Sequence, residues 1–451
     1  MQKIGLEIHG YINTEEKLFC TCKSIHGIKN AKPNTNICPI CTGQPGSKPM
    51  LPNKSAIDKV IQIALILGCK INNELIWQRK HYSWPDLPKG YQNTLSGPHA
   101  TPNAENGKFL GIRISECHLE EDPASWNPQT GEIDYNRSGA PLIEIVTEPD
   151  FKSSEEVANW LKQLITTLGY IKAVDKEAGI KADVNVSIKK TNNTRIEIKN
   201  VNSITNIKNA IDVEVKRQEK ELPINQETRR YDSIKQETQK MRSKEDAQDY
   251  RFISDPDLPI IKIAKDRIAK LKKTIPQTPQ EKLKNLTSKH KIPKRSAEIL
   301  TKNIDLIELF EVIINSKVNN QLATRWTTEE LLSVLNYNKK TLEDIKIDPT
   351  HFIELLELLE NKSLTELKAK DILRSWKEKS SSPKTKGHSQ VSDENQIKTW
   401  ARKIIKDNPK AAEDYKKGEK NSINFLIGQV MKLSNKRANY QKVRQILEKE
   451  L

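Results

Sequence analysis

The chain has 451 residues, a formal net charge of +16 and 35% apolar residues. On a prior of about 100–200 residues per domain, this length predicts roughly two to four domains. The basic excess predicts an anionic partner, nucleic acid first, unless the lysines only solvate the surface. No apolar run approaches the roughly 18 residues a membrane span needs, and the start, MQKIGLEIHG, has no signal-peptide core. The expectation is a soluble, cytoplasmic protein without membrane contact.

Lys3 to Tyr11 alternates, with Ile4, Leu6 and Ile8 on one face and Gly5, Glu7 and His9 on the other. Residues two apart in a strand share a face. Glu7 and His9 therefore project together, either to hold a metal ion or as a plain polar surface. Two close pairs follow, Cys20-Thr21-Cys22 and Cys38-Pro39-Ile40-Cys41. In a reducing compartment four such thiols point to metal rather than disulfides, and their chemistry matches a tetrahedral structural Zn²⁺ site. The alternative is four reduced thiols. Asn53 to Gly68 reads as a buried helix through Ile57, Val60, Ile61, Ala64 and Leu65, closed by Gly68. His81 to Pro98 (HYSWPDLPKGYQNTLSGP) is interrupted by prolines and glycines and reads as a loop. Its Tyr82, Trp84, Asp86, Lys89 and Tyr91 suit a substrate-facing surface or an ordinary crossover.

Gly111 to Asp150 carries two alternating segments, Ile112 to Leu119 and Pro141 to Thr147, which predict strands. Glu116, Glu120, Glu121, Asp122, Asp134, Glu144, Glu148 and Asp150 crowd their ends. Such a gathering of hard oxygen ligands in a basic protein suits Mg²⁺ shared with substrate phosphates; a solvated acidic rim is the plainer reading. Ser153 and Glu156 have capping-box spacing before a helix whose stripe is Val157, Trp160, Leu161, Leu164 and Leu168. Two further strands follow. In KADVNVSI, Asp183, Asn185 and Ser187 share one face; in TRIEIKN, Arg195, Glu197 and Lys199 do. From Glu227 to Pro259, arginines including Arg229, Arg242 and Arg251 alternate with carboxylates. This pattern predicts either bidentate phosphate contacts or a salt-bridged surface helix.

From about Ile260 glycine nearly vanishes and helical patterns follow one another, with capping-box spacings at Thr327/Glu330 and Ser363/Glu366. Residues 377–395 have linker composition. The tail beyond is helical, and its Lys432, Lys436, Arg437, Lys442 and Arg444 could track an RNA backbone or form a solvated face. The predicted organisation is a catalytic domain over 1–260 with a cysteine insertion at 18–45, a helical domain over 261–376, the linker, and a tail module over 396–451. There is no GxxxxGK[ST], no GxGxxG after a strand and no GxSxG. Any use of ATP would therefore proceed without a P-loop, on a carboxylate-lined sheet.

KIGLEIHGYI, HYSWPDLPKGYQ, HLEEDP, DYNRSGAPLIEIVTEPD, ADVNVSI, EIKNVNS and MRSKEDAQDYRF, in this order, resemble the B-type subunits of the aspartyl/glutamyl-tRNA amidotransferases (GatB). The tail resembles that family's YqeY-like module. The resemblance implies an α+β protein: an antiparallel-sheet cradle of glutamine-synthetase-like fold with a zinc-ribbon-like insertion, then a helical domain and a small helical tail. It implies that ATP phosphorylates the side-chain carboxylate of misacylated Glu-tRNA(Gln) or Asp-tRNA(Asn). Ammonia from a separate A-type glutaminase subunit then forms the amide, with a small C-type subunit completing a heterotrimer. It further implies Mg²⁺ on Glu7, His9 and Glu121, with Glu120 and Glu197 beside them. Asp183, Asn185 and Lys199 complete the polar face, Lys89 sits at the channel exit or acceptor pocket, and Arg229, Arg242 and Arg251 contact phosphate or tRNA. Cys20, Cys22, Cys38 and Cys41 would hold structural Zn²⁺. Lys181 and Ala182 depart from the family's Arg and Cys, as does Asn435 to Tyr440 (NKRANY) from its Gly-Lys-Ala-Asn-Pro. The alternatives are a non-catalytic zinc-ribbon tRNA-binding protein and the related E-type subunit. The latter carries an inserted domain for which this chain leaves no room between Glu197 and Met241.

Overall fold

The computed structural model describes residues 2–25, 31–175, 179–243, 250–342, 344–384, 391 and 393–451. They form two compact units, Met1–Thr278 and Pro279–Leu451.

In chain order the first unit runs β1 (Gln2–Tyr11), α1 (Lys54–Ile66), β2 (Lys70–Ile71), β3 (Glu74–Leu75), β4 (Gln78–His81), β5 (Tyr91–Thr94), β6 (Ala104–Phe109), β7 (Ile112–Glu121), β8 (Ser125–Trp126), β9 (Ile133–Asp134) and β10 (Pro141–Thr147). It continues with α2 (Ser154–Tyr170), β11 (Ile180–Ile188), β12 (Ile196–Asn202), α3 (Ile204–Glu221), β13 (Glu227–Asp232), β14 (Glu237–Ser243), β15 (Arg251–Ser254), β16 (Ile261–Lys262) and α4 (Lys265–Thr274).

Twelve of these strands make one sheet of order β14-β13-β12-β11-β1-β10-β7-β5-β4-β15, with β6 also on β7 and β2 on β6. The expected antiparallel pairing holds except between β12 and β13, which run parallel. A parallel neighbour needs a long crossover, and α3 supplies it. The alternation read in β1 places Ile4, Leu6 and Ile8 in the core at 2% exposure or less. Val184, Val186 and Ile198, with buried Ile196, continue that face across β11 and β12, and it shares a core with α2 and α3 through Trp160, Leu161, Ile207 and Ile211. The helices thus cover one face of the central strands, and the polar residues are left to the other.

The helix predicted from Asn53 is α1, with the Asn53 side chain accepting from the amides of Ser55 and Ala56. Ser153 caps α2 by accepting from Glu156 N at 3.1 Å. The surface helix weighed for the arginine-rich stretch is instead the hairpin β13–β14. Asp232 Oδ1 accepts from the amides of Ile234 and Lys235, both at 3.0 Å, and bends the chain there. The segment with the four cysteines contains, among its described residues, only an isolated bridge between Glu16 and Lys23.

The second unit is mainly helical among its described residues, from α5 (Pro279–Ser288) to the last helix, Tyr440–Glu450. Thr327 does not cap a helix. It lies fully buried in a π-helical turn, Trp326–Leu331, that joins two helices end to end, so no free N-terminus exists there. The cap of the helix Glu366–Ser375 is Thr365 rather than Ser363, its hydroxyl accepting from Lys368 N. The tail helices close on their own core of Ile397, Ile423, Leu426, Ile427, Val430, Val443 and Leu447. No described helix is long and apolar enough to cross a membrane.

Candidate active site on the polar face of the sheet

The register carries one set of side chains across seven neighbouring strands. His9 lies opposite Glu144 and Glu7 opposite Asp183. Glu144 lies opposite His118, and Glu120 opposite Thr94. Asn185 lies opposite Glu197, which lies opposite Thr228. Two groups of potential ligand atoms result, His9/Glu120/Glu144 and Glu7/Asp183/Glu197, each with its atoms within 4.8 Å of one another.

In the first group Glu144 Oε2 lies 3.3 Å from His9 Nε2 and 3.4 Å from His118 Nε2, and His118 Nδ1 meets Glu116 Oε1 at 2.7 Å. Burial alone would lower both imidazole pKa values. The hydrogen bond and charge of Glu144 outweigh it and raise His9 to about 9; Glu144 and Glu116 together raise His118 to about 10. Glu144 is correspondingly held well below the usual carboxylate range, the two histidines overcoming its burial. Glu120 moves the other way, pushed up by burial and by the Glu144 charge.

In the second group burial and then Glu144 raise Glu7, so the two groups feel each other. A β-bulge at Asp183 opens β12, where Asn200 takes φ 53°. Asp183 Oδ1 then accepts from Asn200 N at 2.7 Å, and Lys199 Nζ reaches both Asp183 (2.6 Å) and Glu197 (2.9 Å). Asn185 Nδ2 donates to Glu7 Oε1 at 3.1 Å. Asn185 Oδ1 is buried with no hydrogen-bond partner. An orphaned buried oxygen beside carboxylates, in an all-oxygen set, fits a hard divalent cation.

Glu121 and Lys89 belong elsewhere. Glu121 accepts from Lys89 Nζ and from Asn93 N. Asn93 Oδ1 takes Lys89 Nζ at 3.0 Å, and its amide donates to Asp255, which pairs with Arg79 at 2.9 Å. Arg79 continues to Asp257 at 2.7 Å. Strand alternation puts this network on the opposite side of β7 from Glu120. The structure therefore brings Glu7 together with Asp183, Asn185, Glu197 and Lys199, and His9 with Glu120, but brings Glu121 to neither group. Arg229 is also turned away from the face: it is buried against Glu227 (2.7 Å) and Thr238. Arg251 pairs in register with His81 on the exposed strand β15. Arg242 pairs through its backbone with Thr228, and its side chain lies outside the described residues. Sequence reasoning missed His118 as a site residue and left Glu144 and Glu116 in an undivided acidic rim. The alternation Glu116, His118, Glu120 was the available signal.

The thiols of Cys20, Cys22, Cys38 and Cys41 converge within 4.8 Å. Cys41 is drawn down to about 4 as the Cys20 thiol donates to it, with the Lys17 charge helping. Burial raises Cys22 to about 11. Four sulfur ligands at this spacing fit a closed tetrahedral metal site. Ser138 Oγ donates to Cys41 O at 2.7 Å and ties the cluster to the segment entering β10.

One face of the sheet thus carries two groups of potential cation ligands, an arrangement suited to a catalytic domain. The model of the GatB/GatE catalytic domain matches residues 2–269, and a GatB domain model matches residues 308–451. The chain belongs to the GatB/GatE family. It is 40% identical to a Methanocaldococcus jannaschii protein, over 100% of this chain and 98% of that one. It is 41% identical to one from Methanosphaera stadtmanae, over 99% of both. It is 39% identical to one from Methanothermobacter thermautotrophicus, over 100% of both. All three are named as the B subunit of an aspartyl/glutamyl-tRNA(Asn/Gln) amidotransferase.

Proposed function

We propose that this chain is the tRNA-dependent amidotransferase component that activates and amidates the side chain of Glu-tRNA(Gln), Asp-tRNA(Asn) or both. The observation that carries the reading is the pair of groups, His9/Glu120/Glu144 and Glu7/Asp183/Glu197, on the same polar face of the sheet. A carboxylate and ATP are both anionic and repel each other. Mg²⁺ held by Glu7, His9, Glu120 and Glu197 would offset that repulsion and align the phosphates. A side-chain carboxylate oxygen attacks the γ-phosphorus and ADP leaves. Ammonia nitrogen then attacks the acyl carbon, the C–O bond to phosphate breaks, and the nitrogen loses a proton as the amide forms.

Asp183, Asn185 and Lys199 shape the same face, with the Lys199 ammonium, held strongly protonated by Asp183 and Glu197, suited to phosphate oxygens. Lys89 and Glu121, on the other side of β7, suit the path by which ammonia arrives. Arg251 remains available for phosphate or tRNA, and Arg242 is kept in that role. Arg229, already paired, supports the hairpin. The cysteine cluster takes structural Zn²⁺ in a zinc-ribbon-like insertion of a glutamine-synthetase-like cradle. An A-type glutaminase subunit, a small C-type subunit and misacylated tRNA are the partners, in the cytoplasm.

The test is conversion of Glu-tRNA(Gln) to Gln-tRNA(Gln), and of Asp-tRNA(Asn) to Asn-tRNA(Asn), with ATP, Mg²⁺ and free ammonium. ATP-dependent amide formation abolished by Glu7→Ala, with tRNA binding retained, supports the reading. Absence of amide even after both partner subunits are added overturns it.

A further inference from the structure

Both halves of the cysteine cluster press on the loop that carries Lys89. Beyond Cys38 and Cys41 the chain makes a tight, internally bonded turn, with Thr42 N donating to Cys38 O and Gly43 N to Ile40 O, both at 3.1 Å. Gly43 has φ +65°, and a Cβ there would lie 2.9 Å from Lys89 N and closer still to the Pro88 carbonyl. From the other half, Phe19, adjacent to Cys20, places its ring 5.6 Å below the Lys89 ammonium. Tyr91 adds a second ring at 4.9 Å. The ammonium is thereby seated on Glu121 and Asn93 with its side chain only 13% exposed.

We propose that Gly43 is a positioning residue for Lys89, and that the cysteine cluster acts through it and Phe19 to set where the Lys89 ammonium sits against Glu121. This rests on the function proposed above only for what Lys89 does in the reaction. The seat itself depends on contacts: the Gly43 backbone abuts the Pro88–Lys89 peptide with no room for a methyl group, so a shift of the turn is transmitted to Lys89 directly.

Gly46 provides a matched control. It lies in the same segment with φ +84°, but a Cβ there meets nothing within 4 Å. Alanine at either position imposes left-handed backbone strain; only Gly43→Ala adds the push on Lys89. The readout is the acetylation rate of each lysine by an N-hydroxysuccinimide ester, followed by mass spectrometry, with exposed Lys294 as reference. Gly43→Ala is expected to raise the Lys89 rate about fivefold or more by displacing it from its ion pair, while Gly46→Ala leaves it within about twofold. Equal Lys89 rates in the two folded variants overturn the proposal. Should Gly43→Ala fail to fold, Cys38→Ser, which removes one corner of the cluster without touching the Lys89 loop, must raise the Lys89 rate selectively; an unchanged rate there overturns it equally. If amide formation fails in the wild type while the Lys89 rate still responds to Gly43→Ala, the functional reading falls and the positioning stands.

Discussion

Glu120 and Glu121 are adjacent in β7 and serve opposite sides of the sheet: Glu120 groups with His9 and Glu144, whereas Glu121 is tied to Lys89 and Asn93. A strand turns successive side chains to opposite faces, so two residues that look interchangeable in HLEEDP cannot both serve one ion.

This separation predicts different phenotypes for two identical substitutions. Glu120→Gln should raise the Mg²⁺ concentration needed for ATP-dependent carboxylate phosphorylation by about 10–100-fold. Glu121→Gln should leave the Mg²⁺ requirement within about twofold but lower stability by about 3 kcal/mol, because the Lys89 charge is left poorly paired. Mg²⁺ titrations of activity and urea unfolding of both variants check this.

Binding of a divalent cation at His9 should release a proton. Against burial, Glu144 raises His9 to about 9, so at pH 7 the imidazole carries a proton that it must lose to serve as a ligand. Apparent affinity should therefore climb with pH between 7 and about 9 and level off above. Titration calorimetry at pH 7 in buffers of differing ionisation heat measures the proton; no buffer dependence would place the ion wholly on the Glu7/Asp183/Glu197 group.

The four-cysteine cluster should hold about one Zn²⁺ per chain, and Cys38→Ser should lose most of it. Structural zinc contributes directly to folding free energy, so chelation should lower the melting temperature of the wild type and move it little in the variant. Metal analysis with calorimetric melting tests both points.

Arg229→Ala should be a stability lesion and not a binding one. The side chain is buried between Glu227 and Thr238, with Glu214 at 3.7 Å. Its removal takes a partner from half-buried Glu227 and from buried Glu214, which keeps Arg217, at a cost of about 3 kcal/mol. The salt dependence of tRNA binding should not change, since no phosphate contact is lost.

Much of the first unit was legible in the chain itself. The strands β1, β7, β10, β11 and β12, the helix α1 with its closing Gly68, the helix α2 with its Ser153 cap, and the change to helices after Ile260 follow from local periodicity and capping. Those are properties of neighbours in sequence. The four cysteines were likewise readable as one metal site from the number and chemistry of two close thiol pairs, although 15 residues separate the pairs and only the fold brings them together. What local pattern could not decide was which strands lie side by side. Glu144 became the shared partner of His9 and His118 only through the register of β7 on β10 on β1, a long-range pairing set by sheet order and burial. Tertiary packing alone also turned Arg229 inward, carried Thr327 into a continuous helix, and sent Glu121 to Lys89. For Arg229 and Glu121 the deciding energy was the pairing of a buried or half-buried charge, whereas Thr327 followed the apolar packing of its helix into the core, its buried hydroxyl without a hydrogen-bond partner.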